Sequence, residues 1–279
     1  MIGMINLFPR QKKRMIIVLA VYLGLAALLL AIGSGNAIVT AVLAVLGLII
    51  VLAAELTGAA NAHSQLLNRL YNQMDVEGFL REYEPKLSLK LKDPNMALMV
   101  RLHLSNAYCA LGRFDDAMAV LSSFEIREGR NREETVLAHF AVTSNLCFCA
   151  EQKNDVETAK KYLDELLDLR RQLEKLQENK PQKDKIAFST ELNEQCYQFL
   201  TTGHADVEKL KAITRQNQSQ QLQRVTSSLW VARADLAENN RREAQSILEQ
   251  IVKLTPNLYP GKVAADMLAA LPAKEKEEN

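Results

Sequence analysis

From position 15 to position 54 the chain carries no charged side chain, a run of about 40 residues. Gly33, Ser34, Gly35 and Asn36 divide it, because small and turn-forming residues in a row favour a reversal. Two apolar segments result, 15–33 and 37–54. Coiled as helices, each reaches about 27–28 Å, close to the thickness of a bilayer's hydrocarbon core. Helices also satisfy their own backbone groups, as lipid requires. The pattern predicts two membrane spans. A cleaved signal peptide fits less well, since it needs a polar chain after one short apolar run, whereas a second apolar run follows here. A hairpin buried in a soluble core would need complete covering by the rest of the chain. Ala20 with Gly24, and Ala37 with Ala41, are small residues four apart, a spacing that lets spans approach closely.

After about position 60 the pattern turns polar, with apolar residues recurring at i, i+3, i+4 and i+7 and no sustained alternation. That period belongs to amphipathic helices rather than strands. Breaks fall at Asp75 and Val76, at Gly112, at Asp155, and at Thr202 and Gly203. Segment 169–185, with Arg170, Arg171, Glu174, Lys175 and Pro181, reads as a helix end running into a solvated charged loop. The apolar stretch 264–271 predicts a closing helix before a charged tail.

Internal repetition accompanies these breaks. In 104–121, Tyr108, Gly112, Phe114 and Ala117 stand at the offsets of one tetratricopeptide repeat, which the stretch resembles. In that family the aromatic packs the first helix on the second, glycine ends the first helix, and alanine permits close approach. A second match, 228–256, places Ala232, Ala244, Leu248, Ile251 and Pro256 in register, with Asp235 where the family has tyrosine. A weaker unit, 145–166, carries Ala159 and Leu163. Two degenerate pairs span about 63–86, with Phe79 where alanine is usual, and about 185–214. The resemblance covers roughly 62–271 and implies an all-α solenoid of about five helix pairs, whose stacked neighbours share a core none could bury alone. It also implies a concave face lined by the first helix of each pair and open to peptide segments. In register, Leu102, His103 and Asn106 fall on that face, followed by Asn145 and Phe148, then Tyr197, then Trp230 and Arg233. Asparagine can pair with both groups of a peptide backbone, while aromatics and arginine are common anchors. Asn106 and Asn145 match two asparagines with which some members hold a terminal carboxylate. The family's basic positions carry Leu102, Thr190 and Glu194 here, however, so the cationic donors that a carboxylate needs are missing.

Charge adds orientation and excludes a class. The chain has 34 basic and 33 acidic residues and a net charge of +1, without the basic excess of a nucleic-acid binder. Arg10, Lys12, Lys13 and Arg14 precede the first span without an acidic partner, which puts the N-terminus in the cytoplasm. Two spans return the chain to that side.

Candidate chemistry changes little. Cys147 and Cys149 lack the two-residue gap of zinc or redox sites, and helical residues two apart face different ways. With Cys109 and Cys196 they read as reduced packing residues. The histidines 63, 103, 139 and 204 form no ligand spacing, and no phosphate-binding or nucleophile motif occurs. No metal, cofactor or catalytic residue is expected. The organisation predicted is a basic cytoplasmic N-terminus (1–14), two spans (15–54), a repeat domain (62–271) and a charged tail (272–279). The function predicted is a non-catalytic scaffold or adaptor at a bacterial-type inner membrane, binding protein partners through the concave face. The alternatives are a membrane-protein assembly or quality-control factor whose spans recognise a client, and an accessory subunit of a cell-envelope or transport complex.

Overall fold

Where the chain reverses, one device recurs. Gly112, Asn154 and Asn239 adopt left-handed backbone conformations, at φ of 77°, 56° and 63°. Each next residue donates its N–H back five positions: Arg113 to Tyr108, Asp155 to Ala150 and Asn240 to Asp235, at 2.9, 3.0 and 2.8 Å. This is the Schellman ending, which satisfies carbonyls that a helix terminus leaves open. Five residues beyond each reversal stands a fully buried alanine, Ala117, Ala159 or Ala244. Met74, at φ 56°, has the same relation to buried Phe79.

The computed structural model describes residues 2–31, 37–126, 131–176, 180–216 and 220–271. These form twelve α-helices and two 3-10 turns, Ile2–Leu7 and Glu84–Ser88, with no strand among the described residues. Contacts divide the chain into two units, Met1–Asn68 with Ser88–Met96, and Arg69–Leu87 with Ala97–Asn279.

In the first unit, α1 (Pro9–Ala31) is followed by α2 (Ala37–Tyr71), which runs on into the second unit. Helix α2 is long and apolar enough to cross a membrane. Ile38, Val42, Leu43, Val45, Ile49 and Ile50 of α2 lie more than half exposed, as do Ile16, Val21, Leu25 and Leu29 of α1. A soluble protein rarely leaves so large an apolar surface uncovered. Arg14 pairs with Glu55 at 3.0 Å, and the Tyr22 hydroxyl donates to the Ala44 carbonyl at 2.8 Å, so α1 and α2 run antiparallel. Gly47 makes room for the Tyr22 ring, which a Cβ there would strike. Gly24 has nothing within 4 Å of where its Cβ would be, so the close approach is at Gly47 rather than at the Ala20/Gly24 pair. The expected turn at 33–36 and the tail 272–279 lie outside the described residues.

The second unit continues with α3 (Val76–Tyr83), α4 (Pro94–Ala110), α5 (Phe114–Ser122), α6 (Arg132–Gln152) and α7 (Val156–Leu176). It ends with α8 (Lys180–Thr202), α9 (Val207–Gln216), α10 (Gln221–Ala237), α11 (Arg241–Leu254) and α12 (Tyr259–Ala270). Asp75 caps α3 by accepting from the Gly78 N–H at 3.0 Å. Successive helices from α5 to α12 pack on one another, and α6 with α8, and α8 with α10, also touch. Leu98 of α4, Leu121 of α5 and Leu146 of α6 share one core cluster, and Leu229 of α10, Leu248 of α11 and Ala264 of α12 share another. The row curls until its ends meet. The Phe114 and Tyr259 rings stand edge to face at 4.9 Å, and the Gln221 N–H reaches the Asn72 side chain at 3.4 Å.

In segment 169–185, α7 ends at Leu176 and α8 begins at Lys180, and the place of the expected charged loop, 177–179, lies outside the described residues. Leu169 and Leu173 are buried with Leu166 against Val136, Phe140 and Ile186. Pro181 falls in the first turn of α8, where its missing N–H costs no hydrogen bond. In α7, exposed Arg171, Glu174 and Lys175 lie opposite buried Leu169 and Leu173.

Candidate functional site

Helices α4, α6, α8 and α10 each turn a stripe of side chains toward the centre of the second unit. Asn106 and Ala110 come from α4, Asn145, Phe148 and Gln152 from α6, Phe188 and Leu192 from α8, and Leu222, Thr226 and Leu229 from α10. These are spacings of three, four and seven, one face of a helix. Tyr71, Phe114, Tyr259 and Pro260 complete the wall of a cavity of about 190 Å³. No residue that lines it carries a formal charge.

Most polar groups at the wall are already paired. Asn106 Nδ2 donates to the Tyr71 hydroxyl at 2.8 Å, and that hydroxyl bonds His103 Nδ1 at 2.8 Å. Burial raises the Tyr71 pKa to about 12, only partly offset by the Asn106 bond, so the phenol stays neutral. Asn193 Nδ2 donates to the Ser189 carbonyl at 2.7 Å and to Ser144 Oγ at 3.4 Å, while the Ser144 and Ser189 hydroxyls bond each other. Asn145 Nδ2 turns back to the Ala141 carbonyl at 2.9 Å. Two side chains are left incomplete. Gln152, 7% exposed, has neither amide atom paired, and Asn193, 3% exposed, has a free Oδ1.

Of the eight residues expected on the concave face, Asn106, Asn145 and Phe148 meet at this wall. Leu102 packs with Leu98, Leu121 and Leu146 instead. His103 stands behind Tyr71, with its ring also edge-on to Tyr83. Tyr197 is half-buried on α8, away from the wall. Trp230 is 1% exposed, edge-on to Phe199 and capped by the Arg233 guanidinium 4.4 Å above its ring, which places both in the packing of α8 against α10. Gln152, Phe188, Asn193 and Tyr259 were not singled out from the sequence. Gln152 lies seven positions after Asn145 on the same face, so helical register could have found it. Asp235, standing where tyrosine was expected, is fully buried, with its carboxylate 3.5 Å from Lys211 and 3.2 Å from Asn240 Nδ2.

The thiols are buried and free. Cys109 and Cys149 stand 3.3 Å apart, and the thiol hydrogen bond together with burial pushes the Cys109 pKa up. Beside them Glu151 is completely buried, and desolvation raises its pKa far above the carboxylate range, although bonds from Cys147 and Cys196 act the other way. Among the described residues no three His, Cys, Asp or Glu side chains are placed to hold a metal ion. Burial thus disfavours the thiolate of Cys109 and the carboxylate of Glu151.

The chain matches no known family model, no curated protein and no solved structure.

Proposed function

We propose that this protein is a non-catalytic scaffold or adaptor, anchored by a two-helix transmembrane hairpin, whose tetratricopeptide-like α-solenoid binds a protein segment at its inner face. The observation that carries this reading is the central wall, where buried polar groups lack partners between apolar rings. A site that leaves buried amides unpaired is disfavoured unless something completes it. The pairing of α1 and α2 suits an anchor: Arg14 meets Glu55, and the Tyr22 hydroxyl donates to the Ala44 carbonyl between the two helices, while Ile17 of α1 and Ile38, Leu43 and Ile50 of α2 stand exposed. The basic N-terminus orients both termini toward the cytoplasm. Confinement to a membrane raises the effective concentration of partners tethered there.

The test is cross-linking in native membranes followed by pull-down of full-length protein and of an Asn106→Ala, Asn145→Ala double variant. The variant is expected to lose its partner while keeping its helix content by circular dichroism. Undiminished capture would move recognition to another face.

A further inference from the structure

We infer that the polar end of the first unit, formed by 1–14, 55–68 and 88–96, binds anionic phospholipid headgroups through its basic N-terminal segment together with Lys90 and Lys92. This rests on the reading of α1 and α2 as a membrane anchor and names the lipid that the anchor selects.

Charge is unevenly divided along the chain. The first unit holds six cationic side chains, Arg10, Lys12, Lys13, Arg14, Lys90 and Lys92, against two carboxylates, Glu55 and Asp93. That is +4 in a chain whose total is +1, so the second unit carries −3. In sequence, α3 separates 88–96 from the hairpin, yet the contacts of this segment group it with the hairpin. No described residue from 15 to 54 is buried, whereas Ile5, Leu7, Ala59 and Leu66 are, so the packing of this unit is concentrated at its polar end. Alternation sorts the added segment: Leu89 and Leu91 are half-buried, while Lys90 and Lys92, one position on from each, are exposed.

Both carboxylates are engaged locally. Glu55 pairs with Arg14 at 3.0 Å, and Asp93 accepts from the Asn95 N–H at 3.0 Å. Lys12 donates to the Asn6 side chain at 2.9 Å. Arg10, Lys13, Lys90 and Lys92 are exposed, with no ion pair or side-chain hydrogen bond among the described residues. The exposed aliphatic surface of α1 starts at Ile16 and Ile17, just after Arg14. Cations bordering a lipid-facing surface stand at the depth of the headgroup phosphates. A free anion would meet these open side chains only through screened, solvated contacts. A headgroup is held at that depth by its own acyl tails, so its local concentration is high.

The test places full-length protein in phosphatidylcholine vesicles with a trace of nitroxide-labelled phosphatidylglycerol or phosphatidylcholine. Electron spin resonance then reads the share of each label immobilised by the protein. At about 20 mM salt, phosphatidylglycerol should be preferred at least about threefold, because one cation near an anionic headgroup contributes up to about fivefold. At about 0.5 M salt the preference should fall toward one. Lys90→Gln with Lys92→Gln should at least halve it, as should Arg10→Gln with Lys13→Gln, each with parental helix content by circular dichroism. No preference in the parent, a preference insensitive to salt, or one undiminished in either double variant would overturn the proposal. Loss of the preference on adding about 10 mM inorganic phosphate at constant ionic strength, against about 10 mM chloride, would assign the surface to the free ion and overturn it as well. Alkaline carbonate extraction of native membranes separates the two readings. Release of the protein would defeat the anchor itself, whereas retention without a phosphatidylglycerol preference would defeat this inference alone.

Discussion

Glu151 is a carboxyl buried without a counter-charge, and that fixes how it affects stability. In the unfolded chain it ionises near 4.5, whereas burial keeps it protonated in the folded protein well above that value. Between the two values the folded state holds the extra proton, so stability falls as pH rises through the window. Glu151→Gln removes the titration, and the variant should melt above the parent at about pH 8, with the gap closing toward pH 4. Thermal melts at both pH values check this, and a gap independent of pH would contradict it. Ala117 poses the opposite problem, with no space at all. Ala117→Trp should cost about 1–3 kcal/mol or more by overpacking. A melt within about 1–2 °C of the parent would show that α5 does not approach its neighbours there. Ala117 was readable from the sequence because small residues at a helix crossing have few substitutes. Glu151 was not, because a lone acidic residue on a helix looks solvated until its neighbours are known.

At the level of helices, the reversals decide the geometry, and glycine and asparagine make them in different ways. Gly112 tolerates φ 77° without strain, and Tyr259 Cδ2 would lie only 2.8 Å from an added Cβ. Gly112→Ala is therefore expected to lose about 1–2 kcal/mol from backbone strain, and more from displacing Tyr259. Asn154→Gly should change stability by less than about 0.5 kcal/mol, since the left-handed conformation is kept. Equal losses from both substitutions in denaturant melts would refute the difference assigned to the two turns. Reversals at Asp75, Gly112, Asp155 and Gly203 were legible because each has a residue type with a local reason to be there. In 169–176 the core contacts were hidden for the converse reason: the charges outnumber Leu169 and Leu173, which nonetheless pack with Val136 and Phe140 of α6 and Ile186 of α8. Composition counts charges, but burial depends on which face carries the few leucines.

For the whole molecule, helical periodicity foretold both an all-helical chain and an apolar helix of spanning length, since both are local properties. The meeting of the two ends of the second unit was hidden. Curvature accumulates from small rotations between neighbouring helices, and nothing local to Phe114 or Tyr259 announces that they touch. That closure brings Phe114 and Tyr259 into the wall that also holds Asn106, Asn145 and Phe148. Tyr259→Ala should loosen it, seen as faster amide exchange in α4, α5 and α12 than in α6 and α7. Uniform exchange across these helices would mean that Tyr259 does not hold the ends together.

Recognition from inside the second unit is tested most directly by photo-crosslinking in native membranes. A photoreactive phenylalanine analogue would be placed singly at Phe148 on the cavity wall, at exposed Ser246 on α11, and at exposed Val42 on α2. A discrete protein adduct from Phe148, with none from Ser246 or Val42, is the expected result. Adducts from Val42 or Ser246 with none from Phe148 would contradict it, and would assign recognition to the apolar helices or to the outer surface.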